Sequence, residues 1–127
     1  MNLSENAIKV LERRYLKRDV KGNQLEKPRD MFTRVARNIA SAEKRYGKTE
    51  EEILEIERDF FDIMTDLDFL PNSPTLMNAG KELQQLAACF VLPVGDSMAD
   101  IFEALKETAL IQKSGGGVGY SFSKIRP

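Results

Sequence analysis

The sequence predicts a mainly α fold with some β: a helical domain followed by a strand–helix–strand unit. Three observations carry that expectation. Apolar residues recur at helical spacing through the first ~70 residues. The stretch Phe69 to Gly80 then brings two prolines and a glycine. After it, a continuous apolar run and a glycine-rich run bracket one more helix.

The elements follow in order. Ser4 is placed to cap a helix over residues 4–18, with Ile8, Leu11 and Tyr15 as its stripe and Val10 and Leu16 beside it. Asp19 to Lys27 reads as a loop turning at Gly22-Asn23. Pro28 suits the first turn of a second helix, whose stripe is Phe32, Val35, Ala36, Ile39, Ala40 and Tyr46, with Gly47 as its stop. Thr49 and Glu52 form a capping box for a third helix reaching about residue 68. A very short helix is expected after Asn72, with Ser73 as cap, Pro74 at the first helical position and Asn78-Ala79-Gly80 at its end. Leu86 to Leu92 is bounded by Pro93 and Gly95 and fits a strand buried on both faces. Asp96-Ser97 opens a helix of about residues 97–113, Ser114 to Gly119 breaks it, and Tyr120 to Ile125 reads as a second strand. The expected domains are 1–70, helical, and 71–127, an incomplete second domain. Two strands do not make a stable sheet alone, so the rest of a sheet is expected elsewhere and the chain reads as the front of a larger protein.

Composition narrows the chemistry. The 127 residues hold 19 Lys+Arg and 20 Asp+Glu, a formal net charge of −1. That balance argues against a non-specific nucleic-acid grip. No apolar run approaches the ~18–20 residues of a membrane span, and Met1 to Glu5 lacks a signal layout, so a cytoplasmic protein is expected. One cysteine, Cys89, excludes an internal disulfide and a cysteine-cluster metal site. The absence of histidine excludes Ser-His-Asp and Cys-His centres within the chain.

Each remaining candidate has two readings. Cys89 is either a small buried hydrophobe or a redox thiol near the C-terminal end of its strand, where α/β folds place their chemistry. As a redox thiol it needs a second cysteine, which this sequence lacks. The run Ser114 to Gly119 is either a helix stop or a place where a ligand approaches bare backbone. It is not a phosphate-binding Walker loop, because Gly-Lys-Ser/Thr is missing. Asn72-Ser73-Pro74-Thr75 is a cap or an anion contact. Asp96-Ser97 is a cap or a ribose contact, and Arg126 is a solvated cation or part of a site.

These words and their order resemble the large catalytic subunit of ribonucleotide reductases. The resemblance rests on Asn72 to Gly80, Leu86 to Leu92, Gly95-Asp96-Ser97-Met98, Gly115 to Gly119 and Ile125-Arg126-Pro127. Val10 to Leu16, Arg34-Val35-Ala36 and Ala42-Glu43 are most similar to the adenosylcobalamin-dependent, class II branch. The resemblance implies a helical domain followed by the first strand–helix–strand unit of the ten-stranded α/β reductase barrel. It implies thiyl-radical conversion of ribonucleotides to deoxyribonucleotides, with a cysteine pair oxidised to a disulfide.

Carried over position by position, Cys89 resembles the first member of the reducing pair. Ser73 matches the hydroxyl residue that holds a substrate phosphate. Ala88 and Gly117 match small residues lying against the substrate, Ala88 standing where other branches often have serine. Asp96, Ser97 and Arg126 fall at the site of the allosteric nucleotide effector. The helix 97–113 resembles the one that pairs across a homodimer, and a thioredoxin-like reductant is implied. Adenosylcobalamin is implied as cofactor, with no binding residue identifiable here. The thiyl cysteine and the second reducing cysteine are expected beyond Pro127. The 127 residues alone are therefore expected to be inactive, as an expressed fragment, a truncated product or one piece of an intein-interrupted gene. The alternatives are a nucleotide-binding or assembly module without chemistry, or a purely structural helical domain with Cys89 in its core.

Overall fold

Local side-chain chemistry sets the helix starts in the computed structural model, which describes residues 1–127. In α1 (Glu5–Arg14) the Ser4 hydroxyl accepts from the Ala7 N–H at 3.2 Å. In α2 (Pro28–Ala40) proline occupies the first turn and the Asp30 carboxylate accepts from the Lys27 N–H. In α3 (Glu50–Thr65) Thr49 and Glu52 close the expected capping box. The Lys48 ammonium, with the Thr49 N–H, holds the Glu52 carboxyl down at about 2. The second helix ends earlier than the periodicity suggests. After Ala40 the chain tightens into a 3-10 segment, Ser41–Tyr46, which Gly47 ends at φ 81°. Tyr46 is thereby turned out to solvent, 80% exposed, and leaves the apolar stripe.

The core of the helical unit centres on α2. Phe32, Met31 and Val35 are fully buried and cluster with Leu16, Ala36, Met64, Leu76 and Ala79. Burial of each large side chain is worth roughly 1.5–3 kcal/mol. Leu76 and Ala79 come from α4 (Ser73–Asn78) and the residue after it, which ties the proline-containing stretch to the helices.

A buried ion pair reinforces that tie. Arg34 of α2 meets Glu26 at 2.8 Å, with their side chains only 12% and 8% exposed. Glu26 also accepts from the Lys17 N–H at 2.8 Å. The other guanidinium hydrogens go to the carbonyls of Leu76, at 3.2 Å, and Ala79. Gly80 lies against the same arginine at φ +70°, where a Cβ would sit 2.8 Å from Arg34 Cγ. As a result the first compact unit runs from Met1 to Leu86, further than the expected division at 70/71. The short helix and its tail belong with the helices because their apolar residues fill that core.

The second unit, Ala87–Pro127, holds a two-stranded parallel sheet. β1 (Cys89–Pro93) and β2 (Gly117–Ser121) are joined through α5 (Met98–Lys113). Cα partners run from Cys89↔Gly117 to Pro93↔Ser121. Helix α5 agrees closely with the expected 97–113, but both strands shift. β1 begins at Cys89 rather than Leu86 and alternates exposed with half-buried residues instead of being buried on both faces. Phe90 and Leu92 are half-buried, while Val91 is 77% exposed. β2 begins at Gly117 rather than Tyr120, so the last two glycines of the run lie in a strand and not in a loop. The run divides into a helix stop and a strand. Gly115 takes φ +91°, and Gly116 passes so close to the preceding elements that a Cβ would lie 2.6 Å from Ile111 and 2.9 Å from Phe90. No helix of the chain is long and apolar enough to cross a membrane.

Burial pushes the Glu26 carboxyl up, but Arg34, the Lys17 N–H and Lys81 outweigh it and leave it below the ordinary value near 4.5. A carboxyl lowered on folding stabilises the protein above its unfolded pKa, and that contribution fades as pH falls through the folded value. Glu26→Gln is expected to cost about 2 kcal/mol at pH 7. Urea unfolding should show the gap to wild type closing below pH ~4.5. A gap that is constant down to pH ~3 contradicts this role.

Candidate functional site

In the helical unit, the polar residues around α4 each take a defined partner. Asn72 is the cap, its side-chain oxygen accepting from the Thr75 N–H at 2.9 Å. This corrects the expectation that Ser73 caps the helix and Pro74 leads it: Ser73 is the first helical residue. The Asn72 amide and the Thr75 hydroxyl both donate to the Leu86 carbonyl, at 3.1 and 3.2 Å. Asn78 donates to the Gln85 carbonyl at 2.8 Å. Relieved of capping, the Ser73 hydroxyl is exposed and lies 2.9 Å from the Tyr15 hydroxyl.

In the second unit, Ala88, Cys89 and Gly117 come together at the start of the sheet. The Gly117 N–H donates to the Ala88 carbonyl at 2.6 Å, and Gly117 is the strand partner of Cys89. Ala88 is half-buried, while Cys89 and Gly117 are exposed. Cys89 is the first residue of β1, not near the strand's C-terminal end as expected, because the pairing with β2 begins there. At Gly117 a Cβ would make only ordinary contact, and at Gly119 it would meet nothing within 4 Å. Stop and packing account for Gly115 and Gly116, whereas nothing in the unit's own packing requires glycine at 117 or 119.

Asp96 and Arg126 form a second pair, with Ser97 next to Asp96 in the chain. The Arg126 Nε lies 3.1 Å from an Asp96 carboxylate oxygen, and the Arg126 Nη2 donates to the Asp96 carbonyl at 3.4 Å. The two residues are 30 positions apart in the chain. Ser97 alone is the cap of α5: its hydroxyl accepts from the Asp100 N–H at 3.1 Å and donates to the Asp100 carboxylate at 2.7 Å. With Arg126 76% exposed, the ion pair adds little to stability. Its charges face solvent.

Two features escaped the sequence reading. Tyr15 counts as apolar by periodicity, yet its hydroxyl reaches Ser73. The signal was that a tyrosine in an apolar stripe needs a partner for its O–H. Glu26 sits in a loop with no pattern that pairs it with Arg34.

This chain shows no binding site for adenosylcobalamin. No group of three or more His, Cys, Asp or Glu could hold a metal ion. The apolar cavity between α2 and α3, lined by Ile39, Phe60 and Phe69 among others, measures about 160 Å³.

Comparison with known proteins agrees with the two units. Residues 1–84 match the family model for the ribonucleotide reductase all-alpha domain, and residues 87–127 match the model for the ribonucleotide reductase barrel domain. The vitamin B12-dependent ribonucleoside-diphosphate reductase of Thermoplasma acidophilum is 44% identical, aligned over 100% of this chain and 23% of its own length. The protein of the same description from Mycobacterium tuberculosis is 45% identical over 100% of this chain and 18% of its own. The ribonucleoside-diphosphate reductase subunit alpha of Helicobacter pylori is 34% identical over 94% of this chain and 14% of its own. The chain thus spans about a fifth of the B12-dependent relatives it matches. With both units matched in order and the likeness running through the whole sequence, the chain belongs to the ribonucleotide reductase large-subunit family, covering its all-alpha domain and the start of its barrel domain.

Proposed function

We propose that this chain is the front part of a reductase that converts ribonucleoside diphosphates to deoxyribonucleotides, with Cys89 as one half of its reducing dithiol. The observation that carries the reading is the strand register that sets Cys89 opposite Gly117, a residue without a side chain. Beside a residue with no side chain, a ligand can approach both the thiol and the bare backbone. In the reaction two thiols lose two electrons and two protons and become a disulfide. The ribose C2′–O bond is replaced by C2′–H, and the oxygen leaves as water. One thiol cannot close that balance, so a second cysteine must come from further sequence.

Other roles follow by resemblance. Ser73 donates to a substrate phosphate, and Ala88 and Gly117 give the substrate a smooth wall. Asp96, Ser97 and Arg126 take a nucleotide effector: the carboxylate suits ribose hydroxyls and the guanidinium a phosphate. The names of the Thermoplasma and Mycobacterium relatives support dependence on adenosylcobalamin, which further sequence would have to bind. A thioredoxin-like protein would regenerate the dithiol.

Helix α5 supports a homodimer. Ala104 and Thr108 are its buried side, while Met98, Phe102, Leu105 and Ala109 repeat on another face and are exposed. Spacings of four, three and four keep those residues in one stripe. This same stripe favours the second reading, an assembly module without chemistry.

Adding the remaining reductase sequence in trans separates the readings. Turnover should be restored, and Cys89→Ser should lower dithiol-dependent turnover by about a hundredfold or more while substrate binding is retained. Nucleotide binding with unchanged turnover in Cys89→Ser would support the assembly module instead. Phe102→Glu should shift the complemented protein from dimer toward monomer in analytical ultracentrifugation, and an unchanged dimer contradicts the role of α5.

A further inference from the structure

We infer that Tyr15 is the positioning residue for the Ser73 hydroxyl, donating to Ser73 Oγ so that the serine proton is directed at a substrate phosphate. The inference rests on the proposal that Ser73 holds that phosphate. The two hydroxyl oxygens are 2.9 Å apart and come from residues 58 positions apart in the chain.

Both partners are fixed from behind. The Tyr15 ring packs against the buried cluster of the helical unit. Its N–H closes the end of α1 on the Leu11 carbonyl at 2.9 Å, and its own carbonyl accepts from the Lys81 ammonium at 3.0 Å. On the serine side, α4 is held by Arg34 through the Leu76 and Ala79 carbonyls. The side chains of Asn72 and Thr75 hold the Leu86 carbonyl on its other flank. Arg34 holds the Leu76 and Ala79 carbonyls while Lys81, next to Gly80, reaches the Tyr15 carbonyl, so both partners are tied to one segment.

The chemistry of the pair sets its direction when an anion binds. A serine hydroxyl has one proton and two acceptor lone pairs, and its rotor is otherwise free. If Ser73 donated to Tyr15, no proton would be left for the phosphate. A phosphate oxygen accepts only, so its arrival selects the arrangement in which tyrosine donates to serine and serine to phosphate. Bonds to charged acceptors are the stronger ones, and a chain of aligned donors polarises its members further. No backbone N–H at α4 is needed for this, since Asn72 already takes that of Thr75.

The test uses this segment completed with the remaining reductase sequence, with CDP as the probe. Tyr15→Phe keeps the ring in the core and removes only the hydroxyl. It is expected to raise KM about fivefold with kcat within about twofold, the size of one neutral hydrogen bond. In a Ser73→Ala background the same change should add nothing, and in a Ser73→Thr background, which restores a hydroxyl, it should again raise KM. Unfolding temperatures of the variants should match their parents. If Ser73→Ala raises KM and Tyr15→Phe does not, or if Tyr15→Phe acts equally with and without the serine hydroxyl, the positioning role is overturned and the phosphate contact stands. If Ser73→Ala leaves KM unchanged, the phosphate contact itself fails and the positioning role with it.

Discussion

Parallel strands cannot be joined by a tight turn; they need a crossover, and here the 16-residue helix α5 supplies it. The pairing that results sets Cys89 opposite Gly117, although 28 positions separate them in the sequence (117 minus 89). A slip of one residue would turn every side chain of β1 to the other face. The thiol's exposure, the nearness of a residue without a side chain and the Asp96–Arg126 pair beyond the strand ends all follow from this register. The close pass of Gly116 over Ile111 and Phe90 brings the chain from α5 into it.

The helical unit solves a different problem. Its short helix α4 has six residues, too few to be stable on propensity alone. Packing of Leu76 and Ala79 and the Arg34 contacts to two carbonyls hold it in place. Arg34 is usable there because Glu26 neutralises it. An unpaired guanidinium at such burial would be costly, and the pair together costs less than either half alone. The polar frame thus serves geometry more than stability. It fixes the carbonyls around Gly80 and, with Lys81, the end of α1, so that two hydroxyls distant in sequence meet.

Much of this was legible in the residues. Ser4, Thr49 with Glu52, Pro28 and Ser97 announced helix starts that the structure places within a residue, because capping is local chemistry. The strand limits were not legible. An apolar run says nothing of how many faces are covered; within its unit α5 packs against the sheet, and β1 alternates where double burial was expected. The glycine run seemed a loop because glycine breaks patterns, but strand pairing with Ala88 and Cys89 claims two of its members, and pairing across 28 positions leaves no local trace. Ser73 looked like a cap because serine caps well, while the neighbouring Asn72 does it and leaves the hydroxyl to Tyr15. The family and the resemblance of Cys89 to a reducing cysteine could be read only from whole words in order, since one cysteine in an apolar run is ambiguous by itself.

The account stands or falls with the oxidation state of one sulfur. The direct measurement is peptide mapping of the complemented reductase, quenched and alkylated after a single turnover without added reductant. The account predicts that Cys89 is protected from alkylation and is recovered linked to a second cysteine, in proportion to deoxyribonucleotide formed. Product formed while Cys89 is fully alkylated would contradict it.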